Sequence, residues 1–571
     1  MEATRPPTQS DVLLPGPTGR GYWGVYVTSD EYLPADPEKT GADTRGEVIT
    51  HVLANVNQES LLLHLRNLDA ALGDPIRQEK IRTFLEASFP SPTQERLLEI
   101  LVHENRALYS EQGLLAAFRR VILDGDPNAE TQMDPRLGAI LIVQSVLEGN
   151  DDVSTSGNVI AGFPEETAIS LIANHEFNAT TNIYADFDRA LRIFEDRDGT
   201  FAQELNGTSP RALLRLATGL ELESLLSCAM ALLANDGGED PWSPRALNKR
   251  VNESVDKTVV ASFWNLCSRN VASFSSLIST QHSEWDYFGF EKFPILEFEH
   301  SVLLISRHLL LERVTSGLYH FVYEYLESNE PDLLDKWRSA WGGMVEEAIE
   351  QGLRNLAPVS LGATSCYFTE HDVGIAYPKS KRCDAVIDFG HTVLAIEIVS
   401  SPLSRPTRQG LDVAALRSDL ERIVFKKLRQ LSSTAVNIAQ NPTPLLGASR
   451  SPVRIRPLLI TGGGFPVNPI TVNLVNDQIN AEGLFDDSLI DPISIISAEE
   501  SEYLEAIVES GSLPIDVLAE WRESGAIFGN FTFKNWLKAG RKFNNLRPSR
   551  MIAPVQSLFE LIKSTFEGPP V

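Results

Sequence analysis

The chain has 571 residues, and its composition excludes several classes of protein. Its formal net charge is −27, which argues against a protein that coats nucleic acid nonspecifically. No stretch approaches eighteen uninterrupted apolar residues, and residues 1–20 contain no apolar signal core. The sequence therefore predicts a cytoplasmic protein without a membrane span. Four cysteines show no zinc-binding spacing and are interpreted as buried, reduced thiols: Cys228, Cys267, Cys366 and Cys383.

A chain of this length is expected to divide into several domains. The sequence predicts an α+β fold with a mainly helical N-terminal region, then an α/β core, then a helical C-terminal extension. The predicted divisions are 1–56 (an arm with one strand), 57–235 (a helical domain), 236–332 (a connecting hairpin and helix), 333–480 (the α/β core) and 481–571 (a strand and helices).

Most elements predicted before residue 333 are helices, because apolar residues recur there at helical spacing. They are a strand at Tyr22–Val27, and helices from Asn57, at Leu97–Val102, Leu137–Leu147 and Pro164–Asn174, around Ala190 and at Arg211–Asn235. A hairpin at Phe293–His308 and one helix at Leu309–Leu326 follow. His300, His308 and His320 match no familiar metal-binding spacing and are interpreted as structural.

The segment from Arg382 to Ser400 carries the pattern most indicative of chemistry. Two apolar runs meet at Gly390, which predicts a strand–turn–strand hairpin. Side chains alternate along a strand, so a hairpin folded at Gly390 brings Asp384 close to Glu397. Two carboxylates on strands apolar enough to be buried need a positive partner between them. A hard divalent cation such as magnesium meets that need.

The elements around this hairpin follow a recognisable order. A first helix is predicted at Leu333–Leu356 and a first strand at Thr364–Phe368. After the hairpin come an amphipathic helix at Asp412–Ala439 and an apolar strand at Ile455–Ile460. A further strand in 491–497 should pair beside this sheet, with Ser497 capping the next helix.

This order resembles the core of the PD-(D/E)xK nuclease superfamily, the restriction-endonuclease-like fold. The likeness covers roughly residues 333–480, and Trp341-Gly-Gly-Met-Val-Glu346 resembles the acidic motif of the family's first helix. The resemblance implies that Glu346, Asp384 and Glu397 hold Mg2+ or Mn2+, which lowers the pKa of an attacking water. The preceding hairpin and helix also resemble large bacterial proteins that carry such a core near their C-terminus.

The third-strand motif departs from the family at its lysine, because Val399 occupies that position. Some such families carry the lysine on the following helix, where Lys426 and Lys427 stand here. Either lysine can share a face with Gln430. The two lysines are about 100° apart around a helix, so both can hardly enter one pocket. Lys427 adjoins the apolar stripe and is the favoured substitute. Loss of catalysis remains the alternative to this migration.

Basic residues are concentrated in the nuclease-like segment. Residues 379–430 contain ten basic and six acidic residues, a net charge of +4 in an acidic protein. Nucleic-acid contacts are assigned to Lys381, Arg382, Arg405, Arg408 and Gln430. A second basic run at Phe531–Arg550 contains aromatics that suit a single strand. An amphipathic helix with its aromatics in the core and its lysines in water is the favoured interpretation of that run.

The leading function expected from the sequence is a metal-dependent nucleic-acid phosphodiesterase, with the helical N-terminal part binding a partner or sensing. The rival is a catalytically inactive nuclease-like fold that serves as a binding or assembly module. Such a module would bind a protein partner or form a homo-oligomer. In that case Asp384 and Glu397 are structural, paired with Arg382 or Lys427. Thr461-Gly-Gly-Gly464 is interpreted as a tight turn rather than a phosphate-binding loop.

Overall fold

The computed structural model of the protein describes residues 53–72, 95, 111–131, 183–196, 198–235, 247–248, 257–280, 286–299, 301–357, 366–408, 413–447, 453–462, 469–524, 533–540 and 547–566. The predictions that lie outside these residues are the strand at Tyr22–Val27, the helices at Leu97–Val102, Leu137–Leu147 and Pro164–Asn174, and the role of His300.

The described residues form a mixed α+β fold in which helices predominate. The helices of the first half are α1 (Gln58–Leu72), α2 (Glu111–Asp124), α3 (Ile183–Ile193), α4 (Thr200–Glu204), α5 (Pro210–Thr218), α6 (Leu222–Asn235), α7 (Lys257–Cys267), α8 (Val271–Ile278), α9 (Phe288–Lys292), α10 (Arg307–Val314) and α11 (Leu318–Asn329). Among the described residues no single helix is long and apolar enough to span a membrane; one bent pair, Pro210–Thr218 with Leu222–Ala234 at 57°, passes on length and composition.

The helices of the second half surround the larger sheet. They are α12 (Leu334–Arg354), α13 (Glu370–Ala376), α14 (Arg405–Arg408), α15 (Val413–Asp419), α16 (Lys426–Gln440), α17 (Thr443–Leu446), α18 (Pro469–Glu482), α19 (Ala498–Glu509), α20 (Pro514–Glu523), α21 (Phe533–Gly540) and α22 (Ile552–Phe566). A π-helical segment, Leu420–Phe425, joins α15 to α16, and short 3-10 helices lie at Pro331–Leu333 and Ser549–Met551.

The strands form two mixed sheets. The smaller has the order β1 (Leu247–Asn248), β4 (Ser301–Leu304), β3 (Ile295–Glu297) and β2 (Ser268–Asn270). The larger has the order β5 (Tyr367–Thr369), β6 (Ala385–Asp388), β7 (Thr392–Val399), β8 (Arg454–Thr461) and β9 (Ser494–Ser497). Strands β5, β6 and β7 pair antiparallel, whereas β7, β8 and β9 pair parallel. The predicted hairpin, the strand after the long helix and the added strand β9 are therefore confirmed.

The larger sheet lies between two layers of helices, because both of its faces are apolar. Ile396 and Ile398 belong to the core that includes α12 and α19. Ala395 and Val399 belong to a second core formed with the π-helical segment and α16. The first core continues from Phe187 to Leu558, across all the predicted divisions after residue 57. The nuclease-like segment is thus packed directly against the helical N-terminal part.

Two long predicted helices are each broken in the structure. The prediction at Leu309–Leu326 is wrong about one helix, because α10 ends at Val314 and α11 starts at Leu318. The buried spacing runs through the break, so the pattern alone looked continuous. The helical prediction at Arg211–Asn235 is confirmed, but the range is divided between α5 and α6, because Gly219 (φ 72°) caps α5 and ends it.

The turn of the β6–β7 hairpin depends on one glycine. Gly390 has φ 94°, a conformation that costs a residue with a side chain about 1–2 kcal/mol. We expect Gly390→Ala to lower the free energy of unfolding by about that amount, measured by urea denaturation. His391→Ala is the control, since His391 is exposed in the same turn. Equal losses in the two variants would contradict the backbone argument.

Candidate active site

The hairpin places Asp384 and Glu397 opposite each other. Ala385 pairs with Ile396, and the backbone N–H of Asp384 donates to the Ile396 carbonyl at 3.1 Å. Asp384 therefore lies directly across from Glu397, on the face covered by α16. The backbone N–H of Ile398 donates to Asp384 Oδ2 at 2.6 Å, which fixes the direction of that carboxylate. The side chain of Glu397 is completely buried.

The positive charge between these carboxylates comes from the first turn of α16. Lys427 Nζ lies 2.6 Å from Glu397 Oε1 and 3.6 Å from Asp384 Oδ2. The Lys427 side chain retains 22% exposure, so this lysine is in contact with solvent and is not deep in the core. The other oxygen of Glu397, Oε2, accepts no hydrogen bond from the described residues. Glu397 Oε2 can therefore still accept a hydrogen bond or coordinate a metal, beside the ammonium of Lys427.

Glu346 reaches the same end of the sheet from α12, on the other face. The Ser400 hydroxyl, just after β7, donates to Glu346 Oε1 at 3.0 Å. A Cβ added at Gly342 would lie 3.3 Å from Ser400 Oγ. A Cβ added at Gly343 would lie 2.8 Å from the Phe201 ring. The two glycines of the helix motif therefore allow α12 to approach both Ser400 and the helical N-terminal part.

The site carries more acid than base, and its pKa values reflect this. Burial, then the charge of Asp384, raises the pKa of Glu397 well above its ordinary value, against the effect of Lys427. Burial also raises the pKa of Asp384, although Lys427 and the Ile398 N–H oppose it. Burial opposes the charge on Lys427, but Glu397 and Asp384 outweigh it and raise the lysine pKa. One ammonium thus serves several carboxylates that repel one another.

This repulsion predicts a pH-dependent effect of Glu346. Burial, followed by the charge of Asp384, raises the pKa of Glu346 above 4.5, so ionisation destabilises the fold increasingly as pH rises from that value. We expect Glu346→Gln to gain stability relative to the parent between about pH 5 and about pH 8, measured by urea denaturation. Glu327→Gln, at an exposed residue of α11, is the control. A gain that shrinks with rising pH would refute the argument.

Val399 occupies the position where the family has its lysine, and its surroundings explain the difference. Its side chain is buried among apolar residues of the second core, including Leu420, Ile423 and Val424. A lysine there would place an ammonium among hydrocarbon side chains, at a large desolvation cost. Lys427 reaches the carboxylates from the adjacent helix instead.

The remaining predicted residues lie at different places. Lys426, the other candidate for the catalytic lysine, is exposed, whereas Lys427 is the lysine that pairs with Asp384 and Glu397. Lys381 and Arg382 are also exposed. Gln430 Nε2 donates to the backbone carbonyl of Arg382 at 3.4 Å, so it links α16 to the segment before β6. These positions leave the contacts with nucleic acid as predictions.

Arg405 and Arg408 are engaged by acids from a distant part of the chain. Arg405 Nη2 donates to Asp286 Oδ2 at 3.0 Å. Arg408 Nη2 donates to Glu291 at 3.0 Å and lies 3.7 Å from Glu312. Further along the segment, Arg422 pairs with Asp419, and Arg429 pairs with Glu421 and Glu482. The positive charge of the segment is thus largely compensated, which the local charge count did not reveal.

The second basic run agrees only in part with its favoured interpretation. Phe533 is completely buried, as expected for a core aromatic. Lys534 is not in water: it is nearly buried, and its Nζ lies 2.6 Å from Glu499. Arg547 lies over the Tyr184 ring at 3.5 Å, and Arg550 pairs with Glu505. These described basic residues link α21 to α19, and they link the segment before α22 to α3 and α19.

Among the described residues, the histidines and cysteines form no catalytic constellation. Burial, then the charge of Arg408, lowers the pKa of His320 to about 4, and His308 lies 3.9 Å from Glu312. The four cysteines are free thiols, and Cys366 alone is partly exposed.

Gly462, in the turn after β8, donates its backbone N–H to the Val399 carbonyl at 2.6 Å. Gly463 and Gly464 lie outside the described residues.

The carboxylates fit in part as ligands of the magnesium that the resemblance implies. Within the described ranges, no group of three or more His, Cys, Asp or Glu side chains is placed to hold a metal ion. Asp384 and Glu397 nevertheless fit as a pair, since both face one cation and Glu397 Oε2 is buried without a hydrogen bond. Glu346 is held by Ser400 and reaches this pair only electrostatically.

Sequence reasoning missed three residues that shape the site. Ser400 orients Glu346, and its position directly after the motif strand was the available indication. Glu350 lies one turn after Glu346 on α12, and the charge of Asp384 contributes to its raised pKa, after burial. Asp419 accepts from the Ser404 N–H at 2.6 Å and the Thr407 hydroxyl at 2.8 Å, which fixes the loop after β7.

Comparisons of the chain with protein families, curated proteins and solved structures found no match in any of the three.

Proposed function

We propose that the protein is a metal-dependent nucleic-acid phosphodiesterase whose catalytic lysine stands on the helix after the motif strands. The observation that carries this proposal is the position of Lys427, with Nζ 2.6 Å from Glu397 and 3.6 Å from Asp384. Nuclease chemistry of this type requires carboxylates and a cation at one place. Here the three groups come from two adjacent strands and the helix packed on them.

The order and pairing of the elements also support a PD-(D/E)xK-like core. Helix α12 precedes three antiparallel strands, a helix crosses over, and β8 returns parallel to β7. Apart from the additional helix α13 between β5 and β6, that order is the one implied by the resemblance in the sequence. Fold alone does not establish an activity, so the proposal depends on the site.

Each residue of the site has a role in this proposal. Asp384 and Glu397 would hold Mg2+ or Mn2+, and Glu346, held by Ser400, would act on them through its charge. A bound metal would supply a water of lowered pKa and would polarise the phosphate. Lys427 stabilises the negative charge that develops on the phosphate and orients the attacking water. Burial of Glu397 keeps this charge pattern in a medium of low dielectric, where it acts strongly.

One observation favours the rival, an inactive nuclease-like fold that binds a partner. Glu397 is completely buried and its Oε1 is already paired with Lys427. A structural ion pair between β7 and α16 has this same geometry. The rival needs no metal, and it makes the pair a link that holds the helix on the sheet.

Cleavage assays distinguish the two functions. Purified protein is incubated with single- and double-stranded DNA and RNA, with Mg2+ or Mn2+ and with a chelator. We expect cleavage of at least one substrate only with metal, and its loss in Asp384→Ala. Asp388→Ala is the control, because Asp388 accepts from the Gly390 N–H in the turn and stands outside the site. No cleavage of any substrate would refute the proposal.

A further inference from the structure

The loop that follows the motif strand joins the candidate active site to a distant acidic segment. Ser400 contacts Glu346, and four residues later Ser404 is held by Asp419. Five residues after Ser400 stands Arg405, so its Cα lies within about 18 Å of Ser400 even in a fully extended chain. Arg405 and Arg408, three residues apart on α14, are therefore within the reach of a nucleic-acid strand bound at the candidate site.

Both arginines are occupied by carboxylates that the core itself does not supply. Asp286 presents both of its oxygens to Arg405 Nη2, at 3.0 and 3.2 Å. Glu291 and Glu312, from α9 and α10, face Arg408 at 3.0 and 3.7 Å. The guanidinium of Arg405 also lies 4.1 Å from the centre of the Phe288 ring. A guanidinium binds carboxylate and phosphate oxygens with the same geometry.

We propose that Asp286, Glu291 and Glu312 form an acidic guard that occupies the phosphate-binding arginines Arg405 and Arg408 until nucleic acid displaces it. This inference rests on the proposed function and adds a regulation of the same site. The Arg405 side chain is 51% exposed, whereas those of Arg408, Glu291 and Glu312 are 20–25% exposed. The Arg405 pair is in contact with water and is therefore weak enough to exchange first. Nucleic-acid phosphates offer the same contacts together with release of counterions.

The position of the guard gives the helical N-terminal part a link to the site. Its three acids lie in the segment 286–312, and Leu310 and Val314 of α10 belong to the core that also contains α6. When phosphates replace the guard, α14 loses its ionic contacts with that segment. Binding of nucleic acid near the site is thereby coupled to the contact between the core and the helical part.

Binding is measured by fluorescence anisotropy with labelled DNA and RNA oligonucleotides in a chelator, so that cleavage does not interfere. We expect Asp286→Asn/Glu291→Gln to bind at least about fivefold more tightly than the parent, with a salt dependence steeper by up to about two phosphate contacts. Asparagine at 286 keeps an acceptor for the Phe288 N–H, which Asp286 binds at 3.1 Å. Glu291→Gln/Glu312→Gln tests Arg408 alone if the first variant fails to fold.

The charge change needs a matched control. Glu221→Gln/Glu223→Gln removes two acids that pair with Arg215 and Arg211 in the helical part. An equal gain in this control would overturn the proposal. The gain must also disappear when Arg405→Ala/Arg408→Ala is added to the guard variant, and its persistence would overturn the proposal too. If the guard variant gains affinity for nucleic acid but the protein cleaves no substrate, the proposed guard is supported and the proposed nuclease activity is refuted. If the protein cleaves but the guard variant gains no affinity, the nuclease activity is supported and the guard is refuted.

Discussion

Lys427→Met is expected to lower the cleavage rate by at least about two orders of magnitude, whereas Lys426→Met should leave it within about twofold of the parent. Lys427 Nζ lies between two carboxylates at 2.6 and 3.6 Å, and Lys426 is exposed on another side of the same helix. Methionine retains most of the volume of the lysine stem, so the substitution removes charge with little change in packing. Initial rates with a cleaved oligonucleotide measure the effect.

The fold of the Lys427 variant should survive, because Glu397 can respond to the loss of its partner. Burial already raises the pKa of that carboxyl well above its ordinary value, and without the ammonium it takes up a proton. Circular dichroism and a thermal melt check this. Equal and mild losses of rate in the two lysine variants would argue against a catalytic lysine on α16.

The sequence predicted the local parts of the site because they depend on local patterns. Two apolar runs and one glycine define the hairpin, and its register places Asp384 across from Glu397. Helical periodicity located α16, and the resemblance to the family core located α12. The preference for Lys427 over Lys426 assumed a regular helix. In the structure, a π-helical segment, Leu420–Phe425, directly precedes α16. Such segments change the angular phase of everything after them and occur often at functional sites.

The partners of the predicted nucleic-acid residues could not be predicted in this way. Arg405 pairs with an acid 119 positions earlier, and Arg408 with one 117 positions earlier. No periodicity or local charge count carries information about contacts so far apart in sequence. The break between α10 and α11 was not predicted for another reason. A spacing of four residues continues across the break, and the residues at that spacing are all buried: Leu310, Val314, Leu318 and Val322.

The second large expected effect is that of Glu397→Gln, which distinguishes a catalytic role of this carboxylate from a structural one. Glu397→Gln is expected to leave the free energy of unfolding within about 1 kcal/mol of the parent at about pH 8, while cleavage is lost. Removing one partner of a buried ion pair usually costs about 3–5 kcal/mol because it leaves an uncompensated charge. Here Lys427 keeps Asp384 at 3.6 Å and retains 22% exposure. Its charge is therefore not stranded.

The pH dependence follows from the same excess of acid. The pKa of Glu397 is raised by burial and then by Asp384, so its ionised form destabilises the fold increasingly above about pH 4.5. Glutamine avoids that penalty, and the variant should improve relative to the parent as pH rises. A carboxylate with two cationic partners is the control, although burial raises its pKa as well. Glu502, nearly buried, accepts from both Arg189 and Arg192 at 2.8 and 3.0 Å.

Glu502→Gln should therefore cost several times more stability than Glu397→Gln, about 3–5 kcal/mol, because it weakens the compensation of two arginines whose side chains are only 19% and 11% exposed. Both variants are measured by urea denaturation on the same preparation of protein. If Glu397→Gln loses as much stability as Glu502→Gln and the parent cleaves nothing, the pair with Lys427 is structural. The nuclease-like core would then be a binding module whose α16 is fastened to the sheet by that pair.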